Sequence, residues 1–169
     1  MAHRSRLALL VSAALLVPIG SSPQAGTSTT DTPMDHCGAA VMGFDLEKTA
    51  HHFYLYADGG AIEVSVRDSA DAKNRDAIRA HLPHIAAMFE EGNFEAPILV
   101  HGRKDVPGIA TLARLKERVA YVYRETAAGG RVDISTTDPE AVKAVHEFLT
   151  FQIQDHATGD PLTVSRREG

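Results

Sequence analysis

Nine histidines in a chain of 169 residues are an ample supply of imidazole, and their spacing matters more than their number. His81, His84 and Met88 form a His-x-x-His-x-x-x-Met run. On a helix turning about 100° per residue they lie within about 60° of one another, along the edge of an apolar stripe. Imidazole nitrogens beside a thioether suit copper, and imidazoles alone also suit zinc or nickel. The plainer alternative is that Met88 fills core and the histidines are half-buried edge residues.

His156 extends the stripe of Val142, Val145, Leu149 and Ile153, which points it at a sheet or another helix. A buried imidazole needs a partner for each nitrogen. Asp155 and Asp160 are close enough in sequence to supply one, and His146 stands nearer the stripe's margin. His51 and His52 are neighbours on a strand, so they point to opposite faces and cannot chelate together; one of them can complete a site begun by a helix. The expected ligand set is therefore His52, His81, His84, Met88, His146 and His156, with copper first and zinc second. Met34, His36, Cys37 and Met42 add soft donors upstream, and a free thiol in an exported protein is oxidised unless buried, bonded or metal-bound.

Two other classes of function compete. Tyr54, Tyr56, Glu63, Arg67 and Asp133 fall where an open sheet face could meet a small ligand or a protein. An enzyme using a histidine and a carboxylate as acid and base is the third class, but spacing selects no pair. The chain has no Cys-x-x-Cys-His, His-Glu-x-x-His, phosphate-binding glycine loop or Gly-x-Ser-x-Gly, so haem attachment, metalloprotease, nucleotide and serine-hydrolase chemistry lack their usual signatures.

The elements that must position these residues follow from periodicity. Phe53 and Leu55, then Ile62, Val64 and Val66, alternate with polar neighbours about Asp58-Gly59-Gly60, which predicts a β-hairpin. Asp68 and Ser69 offer cap oxygens for a helix carrying Ile78, Leu82, Ile85 and Phe89 as far as Gly92. Pro83 inside it should kink it or expose a carbonyl. The plan then repeats. Val119, Tyr121 and Tyr123 alternate up to Gly129-Gly130, Val132 and Ile134 follow, and Asp138-Pro139 opens a second long helix. Aligning the Gly-Gly pairs matches Ile62 with Val132, Val64 with Ile134 and Asp68 with Asp138. The expected fold is α+β, with two ββα units forming a four-stranded antiparallel sheet and two helices packed on one face. A two-fold axis normal to the sheet would run the helices antiparallel and separate His156 from His84 and Met88. Between the halves, Pro97 to Val100 reads as a short strand and Pro107 to Lys116 as a short helix.

The N-terminus has the three-part plan of a secretory signal peptide: Arg4 and Arg6, an apolar run from Leu7 to Ile19, then small residues. We expect a leader over 1–25, a flexible linker over 26–41, one domain over 42–160 and an irregular tail over 161–169, in a soluble periplasmic or secreted protein without membrane insertion. The net charge is −5, and losing Arg4 and Arg6 would leave −7, a poor match for nucleic acid or anionic lipid. One cysteine excludes an internal disulfide framework.

The segments Met42-Gly43-Phe44-Asp45, His51-His52-Phe53, Asp58-Gly59-Gly60, His81 to Phe89 and Glu147 to Asp160 resemble a group of small exported bacterial proteins of unestablished function. The likeness spans about two thirds of the chain and implies export, but no particular activity.

Overall fold

A computed structural model describes residues 42–167; the expected leader, the linker and its Met34, His36 and Cys37 lie outside them. Four antiparallel strands, β1 (Thr49–Tyr56), β2 (Gly59–Val66), β3 (Val119–Thr126) and β4 (Gly129–Thr136), form one sheet in the order β1-β2-β4-β3. Helix α1 (Ala72–Glu90) follows the first hairpin and α4 (Pro139–Asp155) the second, with short helices α2 (Glu95–His101) and α3 (Ile109–Arg114) between the halves. The fold class is α+β, as expected. None of these helices is long and apolar enough to cross a membrane.

The hairpins repeat residue for residue. Thr49 pairs with Val66 as Val119 pairs with Thr136, and the halves join where Ile62 meets Val132. Each hairpin also closes the other: Val66 N–H donates to Ala128 O, and Thr136 N–H donates to Asp58 O, both at 2.9 Å. The helices exchange partners. α1 packs chiefly on β3 and β4, and α4 packs on β1 and β2, so neither half buries its own helix alone.

Helix capping obeys the same symmetry. Asp138 accepts from the N–H groups of Glu140 and Ala141 with Pro139 in the first turn, and Asp71 accepts from Asn74 N–H. The cap matching Asp138 is therefore Asp71 and not the expected Asp68, which instead closes a turn onto Ala70 N–H. α1 runs unbroken through Pro83. The expected strand over Pro97 to Val100 is helix α2 instead, ended by Gly102 with φ 60°. The helix expected over Pro107 to Lys116 is α3, held against α4. At Gly108, with φ 80°, a Cβ would lie 2.2 Å from Ala144 O, so this close approach requires glycine.

The core lies between the sheet and the helices. Phe53, Leu55, Val64, Val132 and Ile134 meet Ile78, Leu82, Phe89, Phe148 and Leu149 there. The far face of the sheet is filled by the chain's own charges. Asp133, buried, accepts from Arg124, Arg131 and Arg167, and Arg131 also donates to Glu63 and to the Tyr56 hydroxyl. Arg167 lies 4.6 Å from the Tyr56 ring centre, and Arg131 lies 4.9 Å from that of Tyr54. Of the five residues expected to present a contact surface, Tyr56 and Asp133 are thus buried and Glu63 is paired. The tail begins this cover, since Ser165 N–H donates to Leu55 O at the edge of β1.

Candidate functional site

Laying one half on the other, with Gly60 on Gly130 and Asp71 on Asp138, gives an internal control for every histidine on the matched elements. Arg79 corresponds to His146. Arg79 donates to the carbonyls of Thr126 and Gly129, at the end of the second hairpin. His146 Nε2 stands 2.8 Å from Tyr56 O and 3.1 Å from Gly59 O, at the matching end of the first. Two carbonyls can only accept, so Nε2 carries the proton and donates. His146 does the structural task of an arginine, and its Nε2 has no lone pair to offer a metal.

The other expected ligands also scatter. His52 turns to the far face, where its Nδ1 meets Asp160 at 2.9 Å; the same carboxylate accepts from Phe53 N–H and the Thr158 hydroxyl. His84 is exposed, and Met88 is half-buried against the core. The expected set of six therefore does not meet at one point. Among the described residues, no three of His, Cys, Asp and Glu are grouped to hold a metal ion.

His81 and His156 do line one pocket, together with two histidines outside the expected set, His51 and His101. The cavity holds about 60 Å³ between β1, β2 and helices α1, α2 and α4, and its floor is hydrocarbon from Phe53, Ile62, Val64, Phe89 and Phe148. His51 faces inward because Phe53 and Leu55 do; residues of equal parity share a strand face. Its ring stacks on Phe44 at 5.9 Å and on His156 at 5.6 Å. His156, directly after α4, also meets His101 edge-on at 5.1 Å. On the opposite wall, His81 lies edge-on to Phe44 at 5.7 Å.

The symmetry mates of His51 and His156 are Tyr121 and Phe89, an aromatic pair 5.7 Å apart. One packing position is thus filled by ordinary core aromatics in one half and by two imidazoles in the other. Burial, followed by the neighbouring imidazoles His156, His81 and His52 and by Arg67, pushes His51 down from 6.5 to about 3. Burial and then His101 push His156 down to about 4, against a smaller upward pull from Asp155. Burial and His84 lower His81 as well. At neutral pH His51 and His156 are uncharged bases. His51 Nε2 is buried with no hydrogen-bond partner, a costly state for a polar atom.

His101 is engaged differently. Its side chain is 2% exposed, Nδ1 lies 2.6 Å from Asp155 and Nε2 lies 3.1 Å from the Gln152 side-chain oxygen. Gln152 Nε2 is at the same time buried without a partner. Turning that amide over lets it donate to His101 Nε2 while Nδ1–H donates to Asp155, so that no buried N–H is orphaned. His101–Asp155 is the kind of histidine–carboxylate pair that spacing could not select, and its outer nitrogen meets Gln152. The pair ties α2 to α4 beside His156.

No family model, curated protein or solved structure matches the chain.

Proposed function

We propose that this chain is an exported protein that binds a transition-metal ion, copper ahead of zinc, at the pocket wall formed by His51 and His156, with His81 and the Met42 thioether beside them. The observation that carries this reading is the replacement of a core aromatic pair by two uncharged imidazoles, one with a buried, unpartnered nitrogen. Two imidazoles bound to one metal at about 2.0 Å have ring centres about 5 to 5.5 Å apart at trigonal or tetrahedral angles. The 5.6 Å between the centres of His51 and His156 is close to that separation, and chelation would require the two stacked rings to turn until a nitrogen of each meets the ion. The leader-like N-terminus supports export.

A second reading is favoured by the hydrocarbon floor: a small apolar molecule seated there, with one polar atom on His51 Nε2. Imidazole-resolved NMR separates the two. Under the metal reading, stoichiometric copper or zinc moves the ring signals of His51 and His156 and leaves those of His146 in place. Unmoved His51 and His156 signals with either metal would refute it, and a response to phenol, a ring with one polar atom, would instead establish the second.

A further inference from the structure

We infer, resting on the metal reading of this pocket, that the ion it selects is monovalent copper, Cu(I), over any divalent ion. The first ground is charge. Neither nearby carboxylate is free: Asp155 is bound to His101, and Asp160 to His52, Phe53 N–H and Thr158. Arg67, a cation, and the Asp155 carboxylate both share the outer rim with His51 and His156, so the rim's own charges offset one another. A bound ion would bring its whole charge to a wall of neutral donors above a hydrocarbon floor. The desolvation cost of an ion rises with the square of its charge, so a divalent ion loses about four times as much there.

The second ground is the number and softness of the donors. Zinc takes four ligands in structural sites and three plus water in catalytic ones. The described residues present a close pair of open imidazoles, His51 and His156, with the Met42 thioether and His81 on the same pocket. Cu(I) is soft, accepts thioether, and is content with two or three ligands. The third ground is the internal control: imidazoles replace Tyr121 and Phe89, and the one carboxylate gained beside them, Asp155 in place of Met88, is taken up by His101.

The test uses the full-length chain under anaerobic conditions, titrated with Cu(I) against bicinchoninate and with Zn(II) and Cu(II) against chelators of matched strength. We expect one Cu(I) bound about 100-fold tighter than Zn(II). His51→Phe and His156→Phe should each weaken Cu(I) at least about tenfold, while Cys37→Ser leaves it unchanged. Tight Zn(II) or Cu(II) at His51 and His156 with Cu(I) no tighter overturns the choice of ion and leaves the metal reading standing. No ion held by the wild type more tightly than by the double Phe variant overturns both. Cu(I) lost in Cys37→Ser places the ion on the thiol and overturns this site. Should a Phe variant fail to fold, X-ray absorption of the wild-type Cu(I) protein decides: imidazole nitrogens with one sulfur that disappears in Met42→Leu support the inference, and a shell of sulfur alone refutes it.

Discussion

Metal-free protein should lose stability steeply below pH 6.5, and His51 and His156 should carry a separable share of that loss. In the unfolded chain both imidazoles titrate at the ordinary 6.5; in the fold they stay neutral down to about 3 and about 4. Between those values the unfolded state binds protons that the folded state refuses. Stability therefore rises with pH and falls as acid is added. Each group contributes about 1.4 kcal/mol per pH unit once well below 6.5, so the pair removes on the order of 4 kcal/mol by pH 5. That is a large part of the roughly 5 to 15 kcal/mol a domain possesses. The groups facing His51 are imidazoles and Arg67, which reinforce its shift; Asp155 opposes that of His156 only weakly. The assay is urea unfolding with a chelator present from pH 7 to pH 5, for wild type, His51→Phe and His156→Phe. Aromatic rings already occupy the equivalent positions, Tyr121 for His51 and Phe89 for His156, so each variant should fold and shed about 1.4 kcal/mol per unit from the acid slope. Variant curves parallel to the wild type would refute the burial and neutrality assigned to these rings.

Replacing both rings, His51→Phe with His156→Phe, should restore an all-aromatic core position and give a protein more stable than wild type at pH 5 that no longer binds metal; urea midpoints and a metal titration check both halves of this. His146→Ala should cost about 1 to 2 kcal/mol in urea unfolding by orphaning the Tyr56 and Gly59 carbonyls, with metal affinity unchanged. Gly108→Ala, at φ 80° and 2.2 Å from Ala144 O, should destabilise by about 2 to 4 kcal/mol. Asp133→Ala leaves three guanidiniums around one lost carboxylate; because Arg124 is 64% exposed the expected cost is about 2 kcal/mol, below that of a fully buried pair.

Much of the architecture was legible because it repeats. Two Gly-Gly turns flanked by alternating apolar residues define both hairpins, and Asp138-Pro139 marks the start of α4 without tertiary information. The first cap is ambiguous in sequence because three more residues precede α1 than the second half requires, and Asp68 and Asp71 are equally good cap residues. Pro97 to Val100 read as strand because a short apolar run carries no period; only the seat of α2 against the pocket decides it. Parity along β1 already required His51, and not His52, to share the inward face of Phe53 and Leu55. His101 had no such signal, since its partners Gln152 and Asp155 lie more than fifty residues away on another helix.

The exchange of helices between hairpins explains why imidazoles meet in one half only. α4 starts beside the first turn and runs back along β1, so His146 lands at Tyr56 and His156 lands at His51. α1 takes the same course over β3, which sets Arg79 at Thr126 and Phe89 at Tyr121. Both helix ends reach the opposite sheet edge at an equivalent aromatic contact, and both contacts can be filled by ordinary core residues. In the β3 half Phe89 packs on Phe94 at 4.6 Å and on Phe148 at 6.0 Å, which closes that position with hydrocarbon. In the β1 half the equivalent space is bounded by Phe44, His81 and the end of α2, and the cavity opens there. Packing therefore separates two otherwise equivalent ends: hydrocarbon closes one, and at the other the imidazoles border a cavity.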